Sequence, residues 1–116
     1  MTAVSDQLQS LSELLGLDYE EQDWGIINAD GKRLREFVAV YESHALSKEM
    51  RHQMFELVVA SANDALEEEL DDGRAEKVIQ DFVRRHGEDF PEQVSYWAGL
   101  KTSEEFPVAD VLRSIR

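Results

Sequence analysis

The chain contains no cysteine and only two prolines among its 116 residues. Without cysteine there can be no disulfide, no thiolate metal ligand and no cysteine nucleophile. With so little proline, long stretches are left free to run as uninterrupted helix. Basic residues are also scarce: 12 Lys and Arg stand against 25 Asp and Glu, a net charge of −13. That balance argues against direct contact with nucleic acid backbones or anionic membranes, and no partner of either kind is expected. No apolar run approaches the ~20 residues needed to span a bilayer. Met1-Thr2-Ala3-Val4-Ser5-Asp6 lacks the basic and apolar regions of a signal peptide, so the cytoplasm is the expected location.

What remains is the composition of a folded protein. Hydrophobic residues make up 42 % of the chain, more than a disordered acidic sequence would carry. Residues 1–116 are expected to form one domain, burying roughly two thirds of the unfolded surface.

A period of 3.6 dominates the apolar pattern. Val4, Leu8, Leu11 and Leu15 form a stripe closed by Gly16, which predicts a helix over 4–15. Asp18 is placed to cap a short turn through Trp24, with Glu21 at the reciprocal capping position and Gly25 as the stop. Asp30-Gly31 announces a helix carrying Leu34, Phe37, Val38 and Tyr41 at i, i+3, i+4 and i+7. Ser47 is the N-cap of the longest helix, expected to reach about Leu70. Met50, Met54, Leu57, Val58, Ala62, Ala65 and Leu66 wrap widely around it, with Phe55 and Val59 on a second side. Such a helix is packed by neighbours on both sides and becomes the spine of a fold. After Asp72-Gly73, Ala75, Val78, Ile79, Phe82 and Val83 define a helix ending near Gly87. Pro91 and Pro107 each suit the first turn of a further helix. The expected fold is all-α: five to seven helices joined by short links, neighbours antiparallel, as a compact bundle or a small helical-hairpin stack.

Catalytic patterns are missing. Glu49 and His52 stand at i,i+3, but a di-metal centre needs a second Glu-x-x-His that the chain does not contain. Neither Asp-Gly pair fits a calcium loop, since Leu70, Ile79 and Ile26 fall where oxygen ligands belong. No nucleophile elbow, phosphate loop or dinucleotide fingerprint occurs. Neither enzymatic activity nor a metal or other cofactor is expected.

The informative segment is Asp64-Ala65-Leu66-Glu67-Glu68-Glu69-Leu70-Asp71-Asp72. It closes the longest helix, where the negative end of the helix dipole repels carboxylates. Asp64–Glu68 and Glu67–Asp71 add like charges at i,i+4, each costing about 0.2–0.5 kcal/mol. A sequence selected for stability alone would place cations there. Asp64, Glu67, Glu68, Asp71 and Asp72 are therefore candidate contacts for a basic partner. Tyr96 and Trp97 stand about 100° apart on one helix, so both cannot face one core. With Trp97 inside, Tyr96 is left as a candidate interface anchor. Trp24 lies among Asp18, Glu20, Glu21 and Asp23 and is a second candidate anchor, or else a core plug beside the turn at Gly25.

The order of residues adds a resemblance. Leu14-Leu15-Gly16-Leu17-Asp18-Tyr19, Asp23-Trp24-Gly25-Ile26-Ile27-Asn28-Ala29-Asp30, Glu36-Phe37, Tyr41-Glu42 and the run Phe55 to Leu66 resemble a family of uncharacterised bacterial immunity-like proteins associated with polymorphic toxin systems. The similarity covers roughly residues 10–70. It implies a protein that binds and neutralises a cognate toxin, with a basic nuclease as the natural target of an acidic inhibitor. Two other readings stay open. One is a structural or adaptor domain, acidic for solubility and homodimeric through Tyr96 and the central helix. The other is a mimic of DNA phosphates.

Overall fold

The computed structural model describes residues 4–20, 22–100 and 106–115. Among the described residues seven α-helices follow one another and no strand occurs. They are α1 (Val4–Leu15), α2 (Trp24–Ile27), α3 (Leu34–Ser43), α4 (Lys48–Glu67), α5 (Arg74–His86), α6 (Pro91–Ala98) and α7 (Pro107–Ser114). Short 3-10 turns at Gly31–Arg33, Leu70–Gly73 and Gly87–Asp89 lead into or out of α3, α5 and α6. The all-α expectation holds, and α4 is the spine.

Met54, Phe55, Leu57, Val58 and Ala62 of α4 are fully buried, and α1, α2, α3, α5 and α7 all pack against this helix. Its two buried polar side chains orient two of those neighbours. Ser61 Oγ accepts the Asp30 N–H at 3.0 Å, at the entry to the turn before α3. Asn63 Oδ1 accepts the Val108 N–H at 3.2 Å. Pro107 has no N–H, so Val108 offers the first donor of α7, and a side chain from another helix caps it. At the junction of α3, α4 and α5 the rings meet edge to face or tilted. Tyr41 lies 5.0 Å from Phe82, and Phe55 lies 5.4 Å from Phe82 and 5.1 Å from Phe90. Such pairs add about 0.5–1.5 kcal/mol each beyond the area they bury.

Two boundaries differ from the expectation. Gly25 does not stop a turn; it lies inside α2, with Ile26 and Ile27 continuing the helix. Asp18 caps nothing there. Its backbone N–H and C=O are both held by the Asn28 side chain, at 3.1 and 2.9 Å. Glu21 lies outside the described residues. The reason is tertiary: α2 approaches α4 so closely that a Cβ on Gly25 would lie 2.7 Å from Leu57 N. The second difference is the end of α4, which comes at Glu67 rather than Leu70. Glu69 takes a left-handed conformation with φ 53° and breaks the helix before Leu70.

Across α3 and α5, Glu42 Oε2 accepts from both Arg85 Nε and His86 Nε2 at 2.8 Å. Burial by itself would push the Glu42 carboxyl up, but the hydrogen bonds from His86 and Arg85 outweigh it and hold it below the usual range. A depressed folded-state value stabilises above the unfolded carboxyl pKa of about 4.3 and is lost as pH falls through the folded value. Glu42→Gln is therefore expected to cost about 1 kcal/mol near neutral pH. Urea midpoints of wild type and variant should draw together as pH falls from the unfolded carboxyl pKa of about 4.3 through the lower folded value. A difference that persisted below it would assign the effect to packing.

Candidate functional site: an acidic helix end and an aromatic groove

Three helix ends among the described residues receive a cation. Arg33 Nη2 donates to Leu15 O at the end of α1, at 2.8 Å. Arg113 Nη1 donates to Ala98 O and Leu100 O after α6, at 2.7 and 3.1 Å. The last turn of α5 contains Arg84, Arg85 and His86. A guanidinium at a helix C-terminus satisfies orphan carbonyls and complements the dipole.

The end of α4 does the reverse. No basic residue lies in its last turn, which holds Asp64 and Glu67 and is followed by Glu68 and Glu69. Glu67 and Glu68 are exposed, while Asp64 is half-buried. Among the described residues no ion pair involves any of these four. Burial pushes the Asp64 carboxyl above its ordinary range, and the charges of Glu67, Glu68 and Asp30 push it the same way. A cation docking here would relieve all three repulsions. The side chains of Asp71 and Asp72 lie outside the described residues, so Asp64, Glu67 and Glu68 are the candidates the structure brings together.

The aromatic candidates divide. Tyr96 is 61 % exposed, while Trp97 beside it is 4 % exposed, as their angular separation requires. Trp24 is corrected: it is 1 % exposed and belongs to the core. Its Nε1–H donates to Ser12 Oγ at 2.7 Å, and Ser12 in turn donates to Leu8 O at 2.8 Å. An indole so enclosed offers a partner no surface.

Tyr96 does not join the acidic end of α4. It borders a recess of about 350 Å³ at the other half of that helix, walled by His52, Glu56 and Gln93. Glu56 and Glu67 are separated by eleven residues, about 16 Å along a helix. Ala60 lies buried between them, and α2 crosses at Leu57. Within the recess Glu56 Oε2 accepts from Trp97 Nε1 at 3.2 Å and from Gln93 Nε2 at 3.1 Å. The sequence carries one sign of this role: Glu56 is the lone carboxylate inside the apolar run Met54–Ala60. The recess continues into an open groove of about 610 Å³ between the first half of α4 and the start of α6.

Among the described residues, no group of three or more His, Asp or Glu side chains gathers closely enough to hold a metal ion. None of their helices is long and apolar enough to cross a membrane. Comparison with protein-family models, curated proteins and solved structures found no match to this chain.

Proposed function

We propose that this protein is an acidic binding module: an immunity-type inhibitor that neutralises a basic toxin, a nuclease by preference, by covering its positive surface. One observation carries the reading. The chain furnishes cations to the ends of α1, α5 and α6 yet crowds carboxylates at the end of α4. That arrangement costs stability in the free protein and is relieved by an incoming Lys or Arg. No catalytic group is needed. Long-range attraction between net charge −13 and a basic protein would speed association and make it fall steeply with salt.

The stability side can be tested without a partner. A carboxyl whose folded pKa is raised destabilises above that value, and the penalty vanishes below the unfolded pKa of about 3.9. Asp64→Asn is expected to stabilise by about 0.5–1 kcal/mol at pH 7, from the dipole and like-charge terms together. No gain should remain at pH ~3. Combining it with Glu67→Lys and Glu68→Lys should add further stability while abolishing partner capture.

The binding side is tested by capture from host lysate at low salt, with wild type and this triple variant in parallel. Supporting the proposal requires a basic protein that salt releases from wild type, that the variant does not retain, and whose activity the wild type inhibits. Equal retention by the variant would remove the α4 end from the interface.

A self-associating adaptor is the rival reading. The apolar positions of α4 are consumed within its own core, so they offer no dimer face. What favours self-association is the exposure of Leu14, Ile26 and Ile27, together with Tyr96. Light scattering across a concentration series separates the two readings, because a one-to-one inhibitor stays monomeric.

A further inference from the structure

The groove between α4 and α6 is separate from the acidic end of α4, and its chemistry selects a narrower ligand. Asp23, Glu49, Glu56, Asp89 and Glu92 line its two connected parts, with Lys48 as the one fixed cation. Aromatic surface accompanies the charge. Phe90 forms part of the wall with the His52 ring 5.8 Å away edge to face, and Tyr96 borders the far end.

Glu56 is held ready rather than neutralised. Both hydrogen bonds it accepts fall on Oε2 and come from neutral donors, Trp97 Nε1 and Gln93 Nε2. Among the described residues its Oε1 receives no hydrogen bond and no cation pairs with it. Gln93, which lines both parts of the groove, spends its amide N–H groups on Glu56 and on His52 O at 3.3 Å. That leaves the buried Gln93 Oε1 as an acceptor with no donor. A half-buried carboxylate with one oxygen unclaimed and a neighbouring phenol ring together call for a flat cation with several donors. Guanidinium supplies parallel N–H donors to a carboxylate and stacks on aromatic faces; ammonium is a point charge.

We infer that this groove binds an extended, arginine-bearing segment of a basic partner protein, with one guanidinium seated against Glu56 beside Tyr96. Glu49 and Glu56 lie seven residues apart on α4, about 10 Å. An extended strand places same-side residues about 7 Å apart at i,i+2 and about 13 Å apart at i,i+4, so two same-side arginines of such a segment bracket that span and face the two ends of the groove. The inference does not depend on the inhibitor reading, because the two surfaces lie at opposite halves of α4 and can be disabled separately.

The test uses the full chain and a capped seven-residue peptide of alternating Arg and Ala, titrated by 1H–15N NMR at low salt. The matching Lys–Ala peptide serves as comparison. The expected result is perturbation confined to the Trp97 indole N–H, the Gln93 side-chain amide and the amides of Glu49, His52 and Tyr96. Arg–Ala should bind more tightly than Lys–Ala. Glu56→Gln keeps an oxygen for Trp97 while removing the charge, and should weaken Arg–Ala binding about tenfold. Tyr96→Ala, at an exposed position, should weaken it severalfold. Glu67→Lys with Glu68→Lys should leave groove binding nearly unchanged. No binding overturns the inference, as do shifts centred on the end of α4 that vanish in the Glu67→Lys/Glu68→Lys variant. Equal affinity for the two peptides overturns the arginine assignment. Unchanged backbone amide resonances away from the groove, in α1, α3 and α5, establish that the free variants are folded.

Discussion

Trp24→Ala should lower the unfolding free energy by about 3–5 kcal/mol, the range for deleting a large aromatic from a closed core. With total stabilities of about 5–15 kcal/mol for such domains, the variant would be near the edge of folding. The ring is 1 % exposed and joins α2 to α1 through its hydrogen bond to Ser12. Ser12→Ala separates the two contributions, because it leaves the volume intact and orphans the buried indole N–H. Its expected cost is about 1–3 kcal/mol. Urea unfolding followed by far-UV circular dichroism measures both, provided the denaturant slope is unchanged. A Trp24→Ala loss under 1 kcal/mol would mean that the ring is not enclosed, and would restore it as a surface anchor.

Gly25→Ala is expected to cost about 2–3 kcal/mol, the upper part of the overpacking range. The sign is diagnostic, since Gly→Ala inside a helix ordinarily gains up to about 1 kcal/mol. Here the new Cβ would lie 2.7 Å from Leu57 N and 3.0 Å from the carbonyl carbon of Glu56. Both are backbone atoms of the rigid spine, so α2 as a whole must lift away. Gly31→Ala should behave alike, because its Cβ would meet Ala65 N at 2.6 Å. Thermal unfolding of the two variants checks this, and a rise in the midpoint of either would show that the helices can separate freely. Gly25→Ala carries a second readout: Glu56 borders the groove, so its displacement should move the Trp97 indole resonance as well.

Much of the local structure was legible before any tertiary information. α1 starts and ends where Val4 to Leu15 and Gly16 place it, and Gly16 takes the left-handed φ of 67° that its position after the helix calls for. Ser47 caps α4 by accepting the Met50 N–H at 3.2 Å. Pro91 and Pro107 open α6 and α7. These features depend on neighbours within one or two turns, which a sequence states directly. Gly25 was misread for the opposite reason. A glycine that ends a helix and one that lets two helices touch look identical in sequence, because the atoms that distinguish them lie 32 residues away at Leu57.

The candidate site divided along the same line. The misplaced charge at the end of α4 was readable, since the helix dipole and i,i+4 spacing are local. Tyr96 could be assigned to the surface because Trp97 claimed the interior. The groove was not readable. Glu56, Gln93 and Trp97 meet only when α6 folds back onto the first half of α4, and the sequence records no trace of that pairing beyond one carboxylate in an apolar run.

The sequence by itself determined that this chain is helical, where most of its helices begin and end, that α4 is the spine, and that its far end is charged against its own dipole. These are properties of periodicity, caps and charge, whose causes act over a few residues. Only the tertiary structure decided that Trp24 is enclosed, that α2 separates the acidic end from Tyr96, and that Glu56 faces a groove with one oxygen unclaimed. Those are matters of which distant surfaces touch, set by the packing of whole helices against α4.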